Sequence, residues 1–299
     1  MGGGVDLLHH QFGPADPAGL GEQMVAIREI HRTLHRVSTG VVPVYGFDKG
    51  FSTAMTSKLI FDIGANNGDD TAFYLSKGFR VVAVEADPAL CRQLETRFAD
   101  AIGAGVLQIE NVGVAGADGT LDFYVNSYSE WSSFVKAGKA THENSHEKIT
   151  IQTIPMVRLL ERHGTPYYLK IDIEGFEKAA LTTLRADMPL PDYMSFEVNA
   201  DWTFLVDFLS GHGYQSFALV RQGRDVLPDP PQPAREGSYV AQKFKMSMSG
   251  CFGQEITAPW VSADGIVTTM AEELKAADAR QARGQPSGWH DIHCRRLPA

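Results

Sequence analysis

From Lys58 onward, apolar residues fall into short continuous runs separated by stretches with helical spacing. The runs Leu59–Ile63, Phe79–Val84, Val106–Val114, Tyr167–Ile173, Tyr193–Val198 and Gly213–Val220 are too short for helices. They are also too evenly apolar for strands wetted on one face, so they predict strands buried on both faces. Between them, Leu90, Leu94 and Phe98 repeat every four residues, one face of a helix that opens at Asp87-Pro88. Asp70–Lys77, Phe176–Leu184 and Asp201–Leu209 predict further helices, with Asp201 as an N-cap. Strand and helix alternate, which predicts an α/β, doubly wound, Rossmann-like sheet, mostly parallel, with helices on both faces. Ser238–Met248 alternates apolar and polar residues and is expected to be an antiparallel final strand. Asp118-Gly119 signals a hairpin, with an additional strand over Thr120–Val125. A polar loop from Asn126 to about Lys148, a strand over Thr150–Ile154 and a short helix over Pro155–His163 complete the middle of the chain.

The two ends read differently. Met1 to about Leu20 is rich in Gly, Pro and Ala and reads as irregular. Gly21–Val37 carries Met24, Ile27, Ile30, Leu34 and Val37 on one helical face. His31 and His35 lie one turn apart there, with no third ligand nearby, and are read as a solvated face rather than a metal site. Ala271–Arg280 reads as helical and Trp289–Arg296 as a docked segment. The expected division is a leader over 1–57, a catalytic domain over 58–250 and a C-terminal segment over 251–299 packed on it.

Composition narrows the function classes. A chain of 299 residues can bury a full core, and its formal net charge of −9 disfavours a nucleic-acid backbone as partner. Cys91, Cys251 and Cys294 form no CxxC pair, so neither a zinc knuckle nor a disulfide framework is expected. No apolar run is long enough to span a bilayer. The amino terminus has no basic-then-apolar signal, and Asp6 breaks the myristoylation pattern that Met1-Gly2 would begin. The expected setting is the cytoplasm.

Candidate chemistry concentrates where apolar runs meet acids. Leu59 to Thr71 passes from a buried strand through Asp62, Gly64, Asn66 and Gly68 into a helix start. Its Asp-x-Gly-x-x-x-Gly spacing is not the Gly-x-Gly-x-x-Gly of dinucleotide binders, so a pyrophosphate ligand, and with it an oxidoreductase, is disfavoured. S-adenosylmethionine carries no phosphate, and a glycine turn beside a carboxylate suits its amino-acid end, with the glycines read as letting the backbone approach the ligand. Glu85 ends the second strand about 20 residues later, the place from which an acid meets ribose hydroxyls in such folds. The cofactor set on this reading is Asp62, Gly64, Asn66, Gly68, Thr71 and Glu85. Asn111 is added, either at the adenine or as a turn residue. Asp172 and Glu197 end the fourth and fifth strands at the same rim, and Asn199 follows on the same side of the chain. These hard oxygen donors suit magnesium or a similar divalent ion.

FDIGANNGDDT, VVAVEADP, YYLKIDIEGFE and MSFEVN together resemble the FkbM family of S-adenosylmethionine-dependent methyltransferases, over roughly Lys58 to Tyr214. Leu169–Glu177 is the most diagnostic piece. The resemblance implies a class I methyltransferase sheet and methylation of a hydroxyl on a sugar, glycan or glycosylated natural product. It does not transfer everywhere: family members commonly carry an aspartate where this chain has Met156-Val157-Arg158. Ser132-Ser133 matches a serine pair often seen in the family.

Candidates for handling the hydroxyl proton are Asp172, Glu197, His142 and His146, acting as a base or through a metal held by Asp172, Glu197 and Asn199. Lys170 reads as the partner of a nearby acid. His142-Glu143-Asn144-Ser145-His146 has the zinc-peptidase spacing, but its flanks lack the apolar face that a metal-binding helix would bury. Asn126–Lys148, with Tyr128, Trp131 and Phe134, is expected to cover the acceptor. A non-catalytic cofactor-binding scaffold remains the alternative to an enzyme.

Overall fold

The computed structural model describes residues 58–126, 129, 132–134, 145–223, 227–285 and 288–296. The leader over 1–57, including the expected helix at Gly21–Val37, lies outside them, as do Tyr128, Trp131 and His142. The chain enters on β1 (Leu59–Ile63), buried at every position, and returns through α1 (Asp69–Ser76) to β2 (Arg80–Val84). Next come α2 (Pro88–Arg97), α3 (Ala99–Gly103), β3 (Leu107–Glu110), β4 (Gly113–Val114), β5 (Gly119–Asn126) and β6 (Ser145–Ile154). Then follow α4 (Met156–His163), β7 (Tyr168–Ile171), α5 (Glu177–Leu181), β8 (Tyr193–Glu197), α6 (Trp202–Gly211), β9 (Tyr214–Gln222), α7 (Ala263–Gln281) and β10 (Trp289–Arg296).

Seven strands form one sheet in the order β3-β2-β1-β7-β8-β10-β9. The first five pair in parallel, and β10 runs antiparallel to both β8 and β9. Two separate apolar cores coat the two faces, as a parallel sheet requires. One holds Leu159, Leu181, Leu205 and Ile266 from α4, α5, α6 and α7; the other holds Phe73, Leu94, Phe98 and Phe252. The strand order turns back beside β1, which places the crevice for a ligand at the carboxyl ends of β1, β2 and β7.

Several sequence expectations change here. Asp87 does cap α2, accepting the Ala89 N–H at 2.7 Å. Asp201 stands at the start of α6 but caps nothing; its carboxylate pairs with Lys178 at 2.8 Å. The run Val106–Val114 breaks at Asn111-Val112 into two strands that join different sheets. Asp118-Gly119 is no hairpin turn, because β6 lies between β4 and β5 in the three-stranded sheet β4-β6-β5. Ser238–Met248 forms no strand. The antiparallel strand is β10, from the segment expected merely to dock, so the sheet is completed from beyond residue 250. The 238–256 stretch instead wraps α1. Phe252 is fully buried, with its ring 5.0 Å from that of Tyr74 and 4.9 Å from that of Tyr168.

Candidate active site

The turn between β1 and α1 is held by backbone bonds from Gly64 and Ala65 N–H to the Val84 carbonyl, at 2.9 and 3.0 Å. Gly64, Asn66 and Gly68 all take positive φ, 79°, 47° and 78°. The glycines do not open space toward a ligand as expected. A Cβ on Gly64 would lie 1.9 Å from the backbone oxygen of Asp172, and one on Gly68 would lie 2.6 Å from both Leu94 and Phe98. They let the end of β1 meet the end of β7, and α1 meet α2. Gly64→Ala should therefore cost about 2–4 kcal/mol, from left-handed strain plus displaced backbone, read as a lower midpoint in urea unfolding. An unchanged midpoint would show that the turn relaxes freely.

Asp62 leaves β1 fully buried; its Oδ2 accepts the Thr71 hydroxyl at 2.6 Å. Its Oδ1 makes no hydrogen bond, although Lys170 Nζ is 3.3 Å away. The same ammonium lies 3.5 Å from Asp70 and 4.0 Å from Asp172, and donates to the Gly64 carbonyl at 3.2 Å. Burial alone would lower the pKa of Lys170, but Asp62, Asp70 and Asp172 together hold it well above the usual lysine value. Asp70 is pushed the other way: burial raises it, against the pull of Lys170. Its two oxygens also accept the Ser249 N–H, at 3.0 and 3.1 Å.

Glu85 ends β2 buried, and each of its oxygens accepts one backbone N–H. Oε2 takes that of Asn66 and Oε1 that of Asp87, both at 2.8 Å. Burial raises its pKa despite these bonds. A carboxylate has about four acceptor positions, so two stay available. Asn111 Nδ2 donates to the Glu85 and Ala86 carbonyls at 3.0 and 3.1 Å, so its amide shapes the end of β2. Asn66 Oδ1 is buried without a partner.

Beyond β7 the backbone turns sharply through Glu174 at φ 52° and Gly175 at φ 95°. Glu177 fastens this turn. Its Oε1 accepts the N–H of Ile173 at 2.9 Å and of Gly175 at 3.3 Å, and its Oε2 accepts the Asn199 amide at 2.5 Å. Burial pushes Glu177 up to about 7, against the backbone bond from Ile173. The turn holds Asp172 beside Glu197, and carboxylate oxygens of Asp172, Glu177 and Glu197 all lie within 4.8 Å of one another. Asn199 stands behind this group: its amide nitrogen supports Glu177, and its oxygen accepts the Asp201 N–H at 2.8 Å.

A family model described as the methyltransferase FkbM domain matches residues 62–216, more than half of the chain. The chain belongs to the FkbM methyltransferase family. Among solved structures, it is similar to methyltransferase FkbM from Methylobacillus flagellatus KT, at 20% identity and a TM-score of 0.37. That match covers 56% of this chain and 40% of that one. It is also similar to precorrin-6y C5,15-methyltransferase from Geobacter metallireducens GS-15, at 12% identity and a TM-score of 0.35, covering 81% of this chain and 82% of that one. No curated protein matches the chain.

The FkbM domain accounts for the turn, Glu85 and the rim acids, and ends inside β9. Its polar loop between β5 and β6 is shorter than expected, because β6 begins at Ser145. His146 lies in β6, with only its backbone described. Ser133 Oγ donates to the Glu174 carbonyl at 2.8 Å, which ties the loop to the Asp172 turn. Phe134 packs between Phe123 and Phe176, with ring centres 4.9 and 5.1 Å away, so it fills the interior of the FkbM domain. Sequence reasoning passed over Glu177 and Asp70. Both stand inside the quoted motifs, Glu177 five residues after Asp172 and Asp70 one turn before Tyr74. Among the described residues no helix is long and apolar enough to cross a membrane.

Proposed function

We propose that this chain transfers a methyl group from S-adenosylmethionine to a hydroxyl of a sugar, glycan or glycosylated natural product. The observation that carries the donor is a pair of buried, orphaned acceptors in the β1–α1 turn, Asp62 Oδ1 and Asn66 Oδ1, beside the half-used carboxylate of Glu85. Orphaned buried acceptors call for a donor partner. The ammonium of the donor's amino-acid end suits Asp62 and Asn66, and the ribose hydroxyls suit Glu85. When bound, the donor supplies a sulfonium-activated methyl group. Thr71 orients Asp62 for this role, Gly64 and Gly68 set the turn, and Asn111 shapes the strand end on which adenine would lie.

The acceptor side is the acidic rim. Asp172 and Glu197, held by Glu177 and Asn199, offer a polar lining suited to orienting a hydroxyl rather than an apolar group. Alignment of this kind contributes several kcal/mol in effective concentration. His142 and His146 stay candidates for acceptor contacts. A magnesium-type ion held by Asp172, Glu197 and Glu177, with Asn199 adjacent, is a second reading; the clustering of their oxygens favours it. In that case the ion would lower the hydroxyl pKa. With the small-molecule or glycan acceptor goes a cytoplasmic setting and no nucleic-acid partner.

Tritiated methyl transfer from labelled donor to a panel of glycosides separates this reading from a scaffold that binds donor and never turns over. Glu85→Ala should weaken donor binding by about 1–3 kcal/mol in calorimetry on folded protein, as for a lost hydrogen bond to a charged group. Unchanged affinity would remove Glu85 from the site.

A further inference from the structure

The FkbM match stops at residue 216, yet the rim is completed by residues beyond it. In the sheet register Asp291 of β10 lies directly opposite Glu197 of β8. Side chains of such partners share a face, with Cβ atoms about 4.5–5.5 Å apart. Asp172 follows β7 on the other side of Glu197, so three acids cross three adjacent strands at the carboxyl rim.

Asp291 differs from the other two. It is only 8% exposed, whereas the Asp172 side chain is 42% exposed. Its Oδ2 accepts Gln222 Nε2 at 2.7 Å. The same Nε2 donates to the Ser249 carbonyl at 3.1 Å, and two acceptors on one nitrogen fix which way the amide points. Gln222 is 1% exposed, and its Oε1 has no partner. Asp291 Oδ1 makes no hydrogen bond among the described residues, yet it is not among the sealed buried atoms, so it remains open toward the rim.

We propose that Asp291, positioned by Gln222, is the group that takes the proton from the acceptor hydroxyl, an assignment that rests on the methyl-transfer reading above. As the hydroxyl oxygen bonds to the methyl carbon, the carbon–sulfur bond breaks and its electron pair goes to sulfur. The hydroxyl proton passes to Asp291 Oδ1. The products are a methyl ether, a neutral thioether and a carboxylic acid that returns its proton to water. The surroundings suit the task. Burial, and then the charge of Asp172, push Asp291 up to about 8, while Lys170 and the Gln222 bond pull against them and Asp70 adds to them. A base works best with a pKa near the working pH. Glu177 is committed to the turn and to Asn199, and Asp172 lies beside the Lys170 cation.

The test uses the full chain with its donor and an acceptor glycoside. Asp291→Asn should lower kcat at least roughly a hundredfold, leave donor affinity unchanged and abolish the ionisation in the activity profile. In Gln222→Leu, which removes a bond favouring the charged form, that ionisation should move to higher pH. Infrared titration of carboxyl-labelled aspartates gives a readout free of activity: one carboxyl titrating near pH 8 in the parent and missing in Asp291→Asn. An active Asp291→Asn with an unaltered profile overturns the assignment alone. A parent that binds donor and methylates no hydroxyl overturns the methyl-transfer reading, and this one with it. Should Asp291→Asn fail to fold, an ionisation unmoved in Gln222→Leu overturns the assignment.

Discussion

Lys170→Met should lower stability by about 3–5 kcal/mol at pH 8, the cost of removing one partner from a buried charge group. The ammonium lies within 3.3–4.0 Å of Asp62, Asp70 and Asp172, and the first two are almost wholly buried. Methionine fills similar volume, so the loss is one of charge rather than of packing. Without the cation, Asp62 and Asp70 face a desolvated site beside each other, and protonation becomes their way out. The sign follows. An acid whose folded pKa is raised above its unfolded value binds protons more tightly when folded, so its contribution is present at low pH and lost as pH rises through the raised pKa. Asp70 is already raised by burial with Lys170 present. The deficit of Lys170→Met should therefore shrink as pH falls from 8 to 5, measured as urea midpoints against the parent at each pH. An equal deficit at both values would mean that Lys170 acts by packing alone.

This hub also shows what the sequence reveals and what it conceals. The strands β1, β2, β7 and β8 were legible because burial on both faces leaves continuous apolar runs, and the acids stand out where those runs stop. Lys170 was legible as an oddity within such a run, but not as the centre of three acids drawn from β1, α1 and its own strand. β10 was illegible for a related reason. It sits between β8 and β9, yet it carries His290, Asp291 and His293, all buried, so hydropathy reads it as surface. Burial holds His293 neutral, its titration pushed down to about 3, and its ring stacks on Tyr168 with centres 6.4 Å apart. Polar residues are sustained there because that face meets the polar row of the site. Ser238–Met248 misled in the opposite direction. Its alternation suits a strand, but the position beside β8 and β9 is taken by β10. The segment's neighbourhood is satisfied by side chains instead: Ser247 and Lys245 reach Asp69 at 2.9 and 3.3 Å, and Ser249 N–H reaches Asp70. The roles of Gly64 and Gly68 depend on what lies opposite each missing Cβ, which no local pattern contains.

Asp172→Asn should leave the fold and donor affinity close to those of the parent and lower turnover at least roughly a hundredfold. The substitution keeps shape and hydrogen-bonding capacity and removes charge. Asp172 is the rim acid most open to an acceptor, and its charge acts in two directions. It faces the acceptor hydroxyl with Glu197, and it raises the ionisation of Asp291. Removing it should lower the pH at which Asp291 loses its proton, so the rising limb of the activity profile should move to lower pH in Asp172→Asn. In Asp291→Asn that limb should vanish, which separates an orienting acid from a proton acceptor. A chelator decides whether the orientation runs through an ion. If Asp172, Glu177 and Glu197 hold one, activity should disappear with chelator and return with magnesium or manganese, and Asp172→Asn should raise the magnesium concentration needed for half activity. If the carboxylates bind the acceptor directly, chelator leaves the rate alone and Asp172→Asn raises KM for the acceptor as kcat falls. Full turnover with an unmoved profile in Asp172→Asn would take Asp172 out of the mechanism and leave it as the residue whose backbone oxygen fills the space beside Gly64.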